Sequence, residues 1–159
     1  DSYNMYNILT DRLTEAGYEH YEISNFAING FHSRHNSSYW EGIPYIGIGA
    51  SAHSYDIHTR QWNVSDVETY INSIENGSIP MEFELIDEDT RYNDFITTSL
   101  RTSKGLDISS LSDKHRKFCL DCCADFIKQG YVEIINNRLR ITRNGLFISD
   151  MIMSELMFI

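Results

Sequence analysis

Ile8, Leu9 and Leu13 recur at helical spacing through residues 4–16, and Gly17 follows as a stop, so the pattern predicts an opening helix. The period then shortens. Tyr18-Glu19-His20-Tyr21-Glu22-Ile23 is rich in aromatics and reads as a strand, with His20 and Glu22 on one face. Polar groups on that face suit the wall of a pocket, or a hydrogen-bonded polar pair within the sheet. Residues 24–49 carry the glycines, asparagines and proline of loops and turns, and within them residues 45–50 are expected to form a short strand ending in a tight turn. Another strand is expected at 60–64, then a helix begun by Asp66, running through Ile74 and stopped at Gly77.

An acidic stretch, residues 82–94, is expected to link this region to a second one. Beyond it Tyr92, Phe95, Ile96 and Leu100 fall on one helical face. Leu111, His115, Phe118, Cys119, Cys122 and Phe126 make a second face that ends at Gly130. Residues 132–140 fit a hairpin with Asn136-Asn137 at a type I′ turn, and Thr142 is expected to cap a last helix through Leu156. Helix, glycine and strand in succession are the rhythm of α/β architecture, and helices followed by a hairpin resemble a winged helix.

Composition narrows the function classes. Hydrophobic residues make up 42% of the 159 and only two prolines occur, as in a folded domain rather than a disordered segment. No apolar run reaches the roughly 20 residues of a membrane span. The opening residues look like the interior of a longer protein. A net charge of −10 disfavours general affinity for nucleic acid or anionic lipid. Nine of the thirteen Lys and Arg residues nevertheless lie between Arg101 and Arg143, among only five acids. Arg138, Arg140 and Arg143 flank the wing-like hairpin, so a winged-helix nucleic-acid-binding module is the alternative from another class. Three clustered cysteines, Cys119, Cys122 and Cys123, do not make a disulfide framework and fit a reducing, cytoplasmic setting.

The chemistry-bearing residues concentrate between Tyr18 and Tyr55. Gly47-Ile48-Gly49-Ala50-Ser51-Ala52-His53-Ser54 removes side chains where a backbone turns tightly or approaches a ligand. Upstream, Arg34-His35-Asn36 and Tyr39-Trp40 combine a cation, an imidazole, an amide and two large rings. A flat acidic ligand such as a porphyrin would use all of them: rings to stack, Arg for a propionate, His for iron. A structural turn with Tyr39 and Trp40 as core anchors uses them too. His32 and His58 read as solvated loop residues and His115 as packed on its helix.

Tyr21-Glu22-Ile23-Ser24-Asn25-Phe26-Ala27, the His35-Asn36-Ser37-Ser38-Tyr39-Trp40 block and residues 45–54, in that order, resemble the radical S-adenosylmethionine (SAM) family that includes HemW and oxygen-independent coproporphyrinogen III oxidase, HemN. Residues 100–107 and 139–145 resemble that family's C-terminal domain. The resemblance implies an α/β fold. Residues 1–80 would be the C-terminal strands and helices of a partial TIM-like barrel, and residues 81–159 a small α+β winged-helix-like domain. It implies SAM and a [4Fe–4S] cluster in the intact protein, and haem as ligand. His35, Asn36, Tyr39 and Trp40 would contact haem, with His35 on the iron, and Gly47, Gly49, Ala52 and His53 would flank SAM, His53 with a structural role as the alternative. HemN-type oxidases carry Phe-Gln near Ser37-Ser38, so the resemblance favours a haem chaperone, with delivery to a respiratory haem protein, over decarboxylation of coproporphyrinogen III. The family's cluster motif, CxxxCxxC, is not matched by Cys119-Leu120-Asp121-Cys122-Cys123, which reads as the buried face of a helix. The chain would then be a fragment, inactive alone.

Overall fold

A computed structural model describes all residues, 1–159. In chain order the elements are α1 (Ser2–Glu15), β1 (Tyr18–Glu22), β2 (Asn25–Ile28), α2 (Arg34–Trp40), β3 (His53–Tyr55), β4 (Thr59–Asn63), α3 (Val67–Glu75) and β5 (Met81–Leu85). They continue with α4 (Glu88–Ser99), β6 (Leu106–Asp107), α5 (Asp113–Lys128), β7 (Val132–Ile135), β8 (Arg138–Ile141) and α6 (Ser149–Glu155), with 3₁₀ turns at Ile108–Ser110 and Leu146–Ile148. The fold is mixed α/β, and its three small sheets are all antiparallel. Internal contacts group the chain into two compact units, one of Asp1–Glu41 with Tyr92–Ile159 and one of Gly42–Arg91.

The first unit holds the core. Tyr92, Ile96 and Leu100 of α4 pack with Cys119 and Cys123 of α5, Leu139 of β8, and Ile152 and Leu156 near the C-terminus. Each is nearly solvent-free. The helical periodicity of α4 and α5 dictates this, because each helix offers one apolar stripe to the other elements. Ser112 caps α5 by accepting from the His115 N–H, and Lys128 supplies a cation in its last turn. The sheet order β6-β8-β7, with α4 before it and α5 between β6 and β7, is the winged-helix-like arrangement. Asn136 and Asn137 both take positive φ, 51° and 61°, as the expected type I′ turn requires.

The β1–β2 hairpin and α1 belong to the same unit. Ile23 N–H donates to the Arg101 carbonyl and Ser103 N–H to the Tyr21 carbonyl, tying the end of β1 to the segment after α4. The second unit is the β3-β4-β5 meander with α3, whose N-cap is Asp66 as the sequence predicts.

Four local expectations are corrected. Residues 24–49 are not all loop: Asn25–Ile28 pairs with β1, and Ser33 caps the helix Arg34–Trp40. Turn-forming residues hid both, since each is short and flanked by glycine or asparagine. Residues 45–50 contribute only a bridge, Tyr45 with Tyr55, because the chain's partners there go to loop closure rather than a ladder. The acidic stretch is not a linker. It forms β5, where Glu82 and Glu84 alternate with exposed apolar residues, and the start of α4. Thr142 does not cap a helix: its hydroxyl donates to the Gly130 carbonyl, and α6 begins only at Ser149.

Candidate functional site

Of the two polar residues expected on one face of β1, each is fully engaged inside the fold. The Ile23 carbonyl can only accept, so His20 donates to it through Nε2 at 3.0 Å, and the ring stacks on Phe26 with centroids 4.1 Å apart. Tyr6 donates to the same carbonyl at 2.8 Å. Glu22 is 2% exposed. Its Oε1 takes Arg101 Nε at 3.0 Å and Nη2 at 2.9 Å. Its Oε2 accepts from the Ser24 N–H and hydroxyl, both at 3.0 Å, and from the Asn25 amide. Burial alone would raise its pKa, but the Asn25 and Ser24 hydrogen bonds with the Arg101 charge outweigh that and hold the carboxyl below its ordinary value. Glu22 and Arg101 therefore fasten the hairpin to the segment after α4. Sequence inspection missed Arg101 as its partner, because the two are far apart in the chain.

Short α2 splits its residues between two faces. His35 and Tyr39 lie on the exposed one, with ring centroids 5.0 Å apart and edge-on. Ser37, Trp40 and Glu41 turn the other way and line a cavity of about 240 Å³. Tyr21, His32, Ser99, Thr102, Ser103, Lys104, Gly105 and Arg138 complete it. His32 is an exposed loop residue as expected, but its ring also stacks on Tyr21, centroids 4.2 Å apart, with Nε2 2.7 Å from Glu19, which makes it part of the cavity wall. Trp40 stands edge-on to Tyr21 at 6.0 Å. Asn36, whose N–H donates to Ser33 Oγ, belongs to the N-terminal turn of α2.

Within the second unit the glycine loop is pinned by a residue the sequence reading passed over, buried Asn63. Its amide donates to the Gly49 carbonyl at 2.9 Å and approaches the Gly47 carbonyl at 3.5 Å. Gly47 N–H goes to Ser54 Oγ at 2.9 Å and Gly49 N–H to the Tyr70 hydroxyl at 3.1 Å. The two glycines serve different needs. A β-carbon on Gly47 would fall 2.1 Å from the His53 carbonyl oxygen, so close packing excludes any side chain. Gly49 takes φ +112° with open space beside it. Ala52 N–H closes the turn onto the Gly49 carbonyl at 3.3 Å. His53 is exposed and, with Ser51, Trp62 and Asp66, lines a groove of about 450 Å³.

The remaining chemistry-bearing groups are structural. Cys119 and Cys123 are buried in the core and Cys122 is half-buried. Burial pushes the Cys119 thiol up to about 12 and Cys123 to about 11, the reverse of what a metal-binding thiolate needs. No group of three or more His, Cys, Asp or Glu is arranged to hold a metal ion. Beside the wing Arg143 meets Asp11 at 2.6 Å, Arg138 of the wing lies 3.6 Å from Asp107, and α5 pairs Arg116 with Asp113 at 2.7 Å and Lys128 with Asp125 at 2.9 Å. Nothing favours a nucleic-acid interface. No helix is long and apolar enough to cross a membrane.

Comparison with known proteins agrees with the motif reading. Residues 86–148 match the model of the HemN C-terminal domain. The haem chaperone HemW of Mycobacterium tuberculosis is 30% identical over 155 residues, covering 97% of this chain and 39% of that protein. HemW of Lactococcus lactis is 29% identical over 146 residues, 89% of this chain and 38% of its own length. A bovine mitochondrial radical S-adenosyl methionine domain-containing protein 1 is 44% identical over 62 residues, 35% of this chain and 14% of that protein. In structure the chain resembles coproporphyrinogen III oxidase (HemN) from Escherichia coli, a radical SAM enzyme, with a TM-score of 0.69 at 17% identity, over 95% of this chain and 39% of that one. The chain thus spans about two fifths of the length of the HemW relatives it matches.

Proposed function

We propose that the chain is the C-terminal part of a HemW/HemN-like radical-SAM protein and that it serves haem handling of the HemW kind, with His35 as the contact to haem iron. The observation that carries this is His35 itself. It stands exposed in the first turn of α2, its ring braced by Tyr39 and its nitrogens in no hydrogen bond within the chain. A neutral imidazole nitrogen so presented can donate its electron pair to an axial position of iron, the chemistry that bound haem supplies. Tyr39 fixes the ring and offers an aromatic face; Asn36 and Ser33 hold the turn that aims it. Trp40, on the other face of the helix, supports α2 against Tyr21.

SAM would meet the second unit at the glycine loop. Loop N–H groups at Gly47, Gly49 and Ala52 are already satisfied within the unit, so recognition there would rest on shape at the open face of Gly49 and on the exposed His53 side chain. The [4Fe–4S] cluster does not fit the cysteines present: Cys119 and Cys123 lie buried in the core on one helix, Cys122 is half-buried, and no three such ligands are grouped to hold a metal. A cytoplasmic location and delivery to a respiratory haem protein complete the reading. Ser37-Ser38 in place of the Phe-Gln of the oxidases favours chaperone over coproporphyrinogen decarboxylation.

The test is haemin titration of the 159-residue chain followed at the Soret band. A shifted band is expected for the wild type and a weakened one for His35→Ala, with His32→Ala unaffected. Identical titrations of wild type and His35→Ala would remove His35 as ligand.

A further inference from the structure

The cavity behind α2 is distinct from the exposed His35–Tyr39 face, and none of the roles above uses it. Its walls are flat: the stacked Tyr21–His32 pair and the edge of Trp40. Its rim carries two cations, Lys104 and Arg138, against one carboxylate, Glu41. We infer that this cavity is a binding site for a small planar carboxylate, a single ring bearing a short acid arm, separate from the haem contact.

Size sets the first limit. An apolar cavity of about 150 Å³ holds a benzene ring. The 240 Å³ here leaves room for a ring and a short arm, and is well below what a whole tetrapyrrole occupies. Chemistry sets the second. Aromatic faces accept a ring by stacking, while Ser99, Thr102 and Ser103 add polar lining beside the cations.

The cations can change partner at little cost. Lys104 Nζ holds Glu41 at 2.8 Å, but the two side chains are 74% and 50% exposed, so this pair is weak and the freed Glu41 returns to water. Arg138 makes only long contacts, 3.3 Å to the Gly105 carbonyl and 3.6 Å to Asp107. Both are longer than the bond a guanidinium forms with a well-placed carboxylate. A ligand carboxylate entering between them would replace poor contacts with charge-assisted ones. Glu41, displaced from Lys104, would repel a second negative charge, which favours a monocarboxylate.

The experiment titrates the 159-residue chain with 3-phenylpropionate and, separately, with the uncharged 3-phenylpropionamide. Heat and the ring-proton NMR signals of Tyr21, Trp40 and Tyr39 are the readouts. The acid is expected to saturate, to shift Tyr21 and Trp40 but not Tyr39, and to bind about ten-fold more tightly than the amide, one charge-assisted hydrogen bond's worth. Lys104→Met should weaken the acid by a similar factor and leave the amide unchanged; His35→Ala should alter neither. Equal affinities for acid and amide, no effect of Lys104→Met, or shifts confined to Tyr39 would each overturn the proposal. Because no haem enters the assay, its outcome is independent of the Soret test of His35.

Discussion

Replacing Glu22 by Gln tests how the hairpin is held to the segment after α4. Five donor groups converge on this one buried carboxylate: two from Arg101, two from Ser24 and one from Asn25. Glutamine keeps the size but removes the charge and turns one acceptor into a donor, so one side of the cluster faces an N–H against N–H. Breaking a buried pair costs about 3–5 kcal/mol when the survivor stays desolvated. The Arg101 side chain is 39% exposed and regains water, so the expected loss falls below that range, at about 2–3 kcal/mol. That is a large share of a typical domain's stability. With a urea slope of about 2 kcal/mol/M, the midpoint should fall by roughly 1 M, read by the emission of Trp40 in a Trp62→Phe background.

The pH dependence gives the sharper check. The native carboxyl titrates below its unfolded value of roughly 4.3. Its contribution is therefore fully present above that value and is lost as pH falls through the lower folded one. The gap between wild type and Glu22→Gln should be widest at neutral pH and narrow progressively as pH falls below about 4. A loss under about 0.5 kcal/mol, or a gap that does not change with pH, would refute the reasoning.

Two further predictions concern the glycine loop and the thiols. Gly47→Ala should destabilise the second unit by more than about 2 kcal/mol because a β-carbon cannot share space with the His53 carbonyl, whereas Gly49→Ala should cost only the strain of positive φ, about 1–2 kcal/mol; chemical denaturation followed by Trp62 in a Trp40→Phe background separates them. Treatment with a thiol-specific disulfide reagent at pH 8 should label Cys122 first and leave Cys119 and Cys123 until unfolding, since burial keeps both thiols protonated; three equal fast reactions would contradict the packing described.

Local periodicity made much of this chain legible. The stripes of α4 and α5 announced a shared core, Asp66 announced α3, and Asn136-Asn137 announced the turn of the wing, because each of these depends on neighbours within a few residues. Residue types between Arg34 and Trp40 suited a porphyrin-like ligand, and the resemblance of the motifs between Tyr21 and Ser54 to the radical-SAM family implied haem and SAM. What the sequence could not assign was direction. His35 and Trp40 stand five residues apart in one motif, yet the helical turn puts one in solvent and the other on a cavity wall. Glu22 suited either a pocket wall or a hydrogen-bonded pair within the sheet, and only the fold brought Arg101 to it; Lys104 and Arg138 meet the rings of Tyr21 and Trp40 because residues 1–41 and 92–159 fold into one unit. Spacing along the chain determined which elements form; partners distant in sequence decided which polar side chains hold the fold together and which stay exposed.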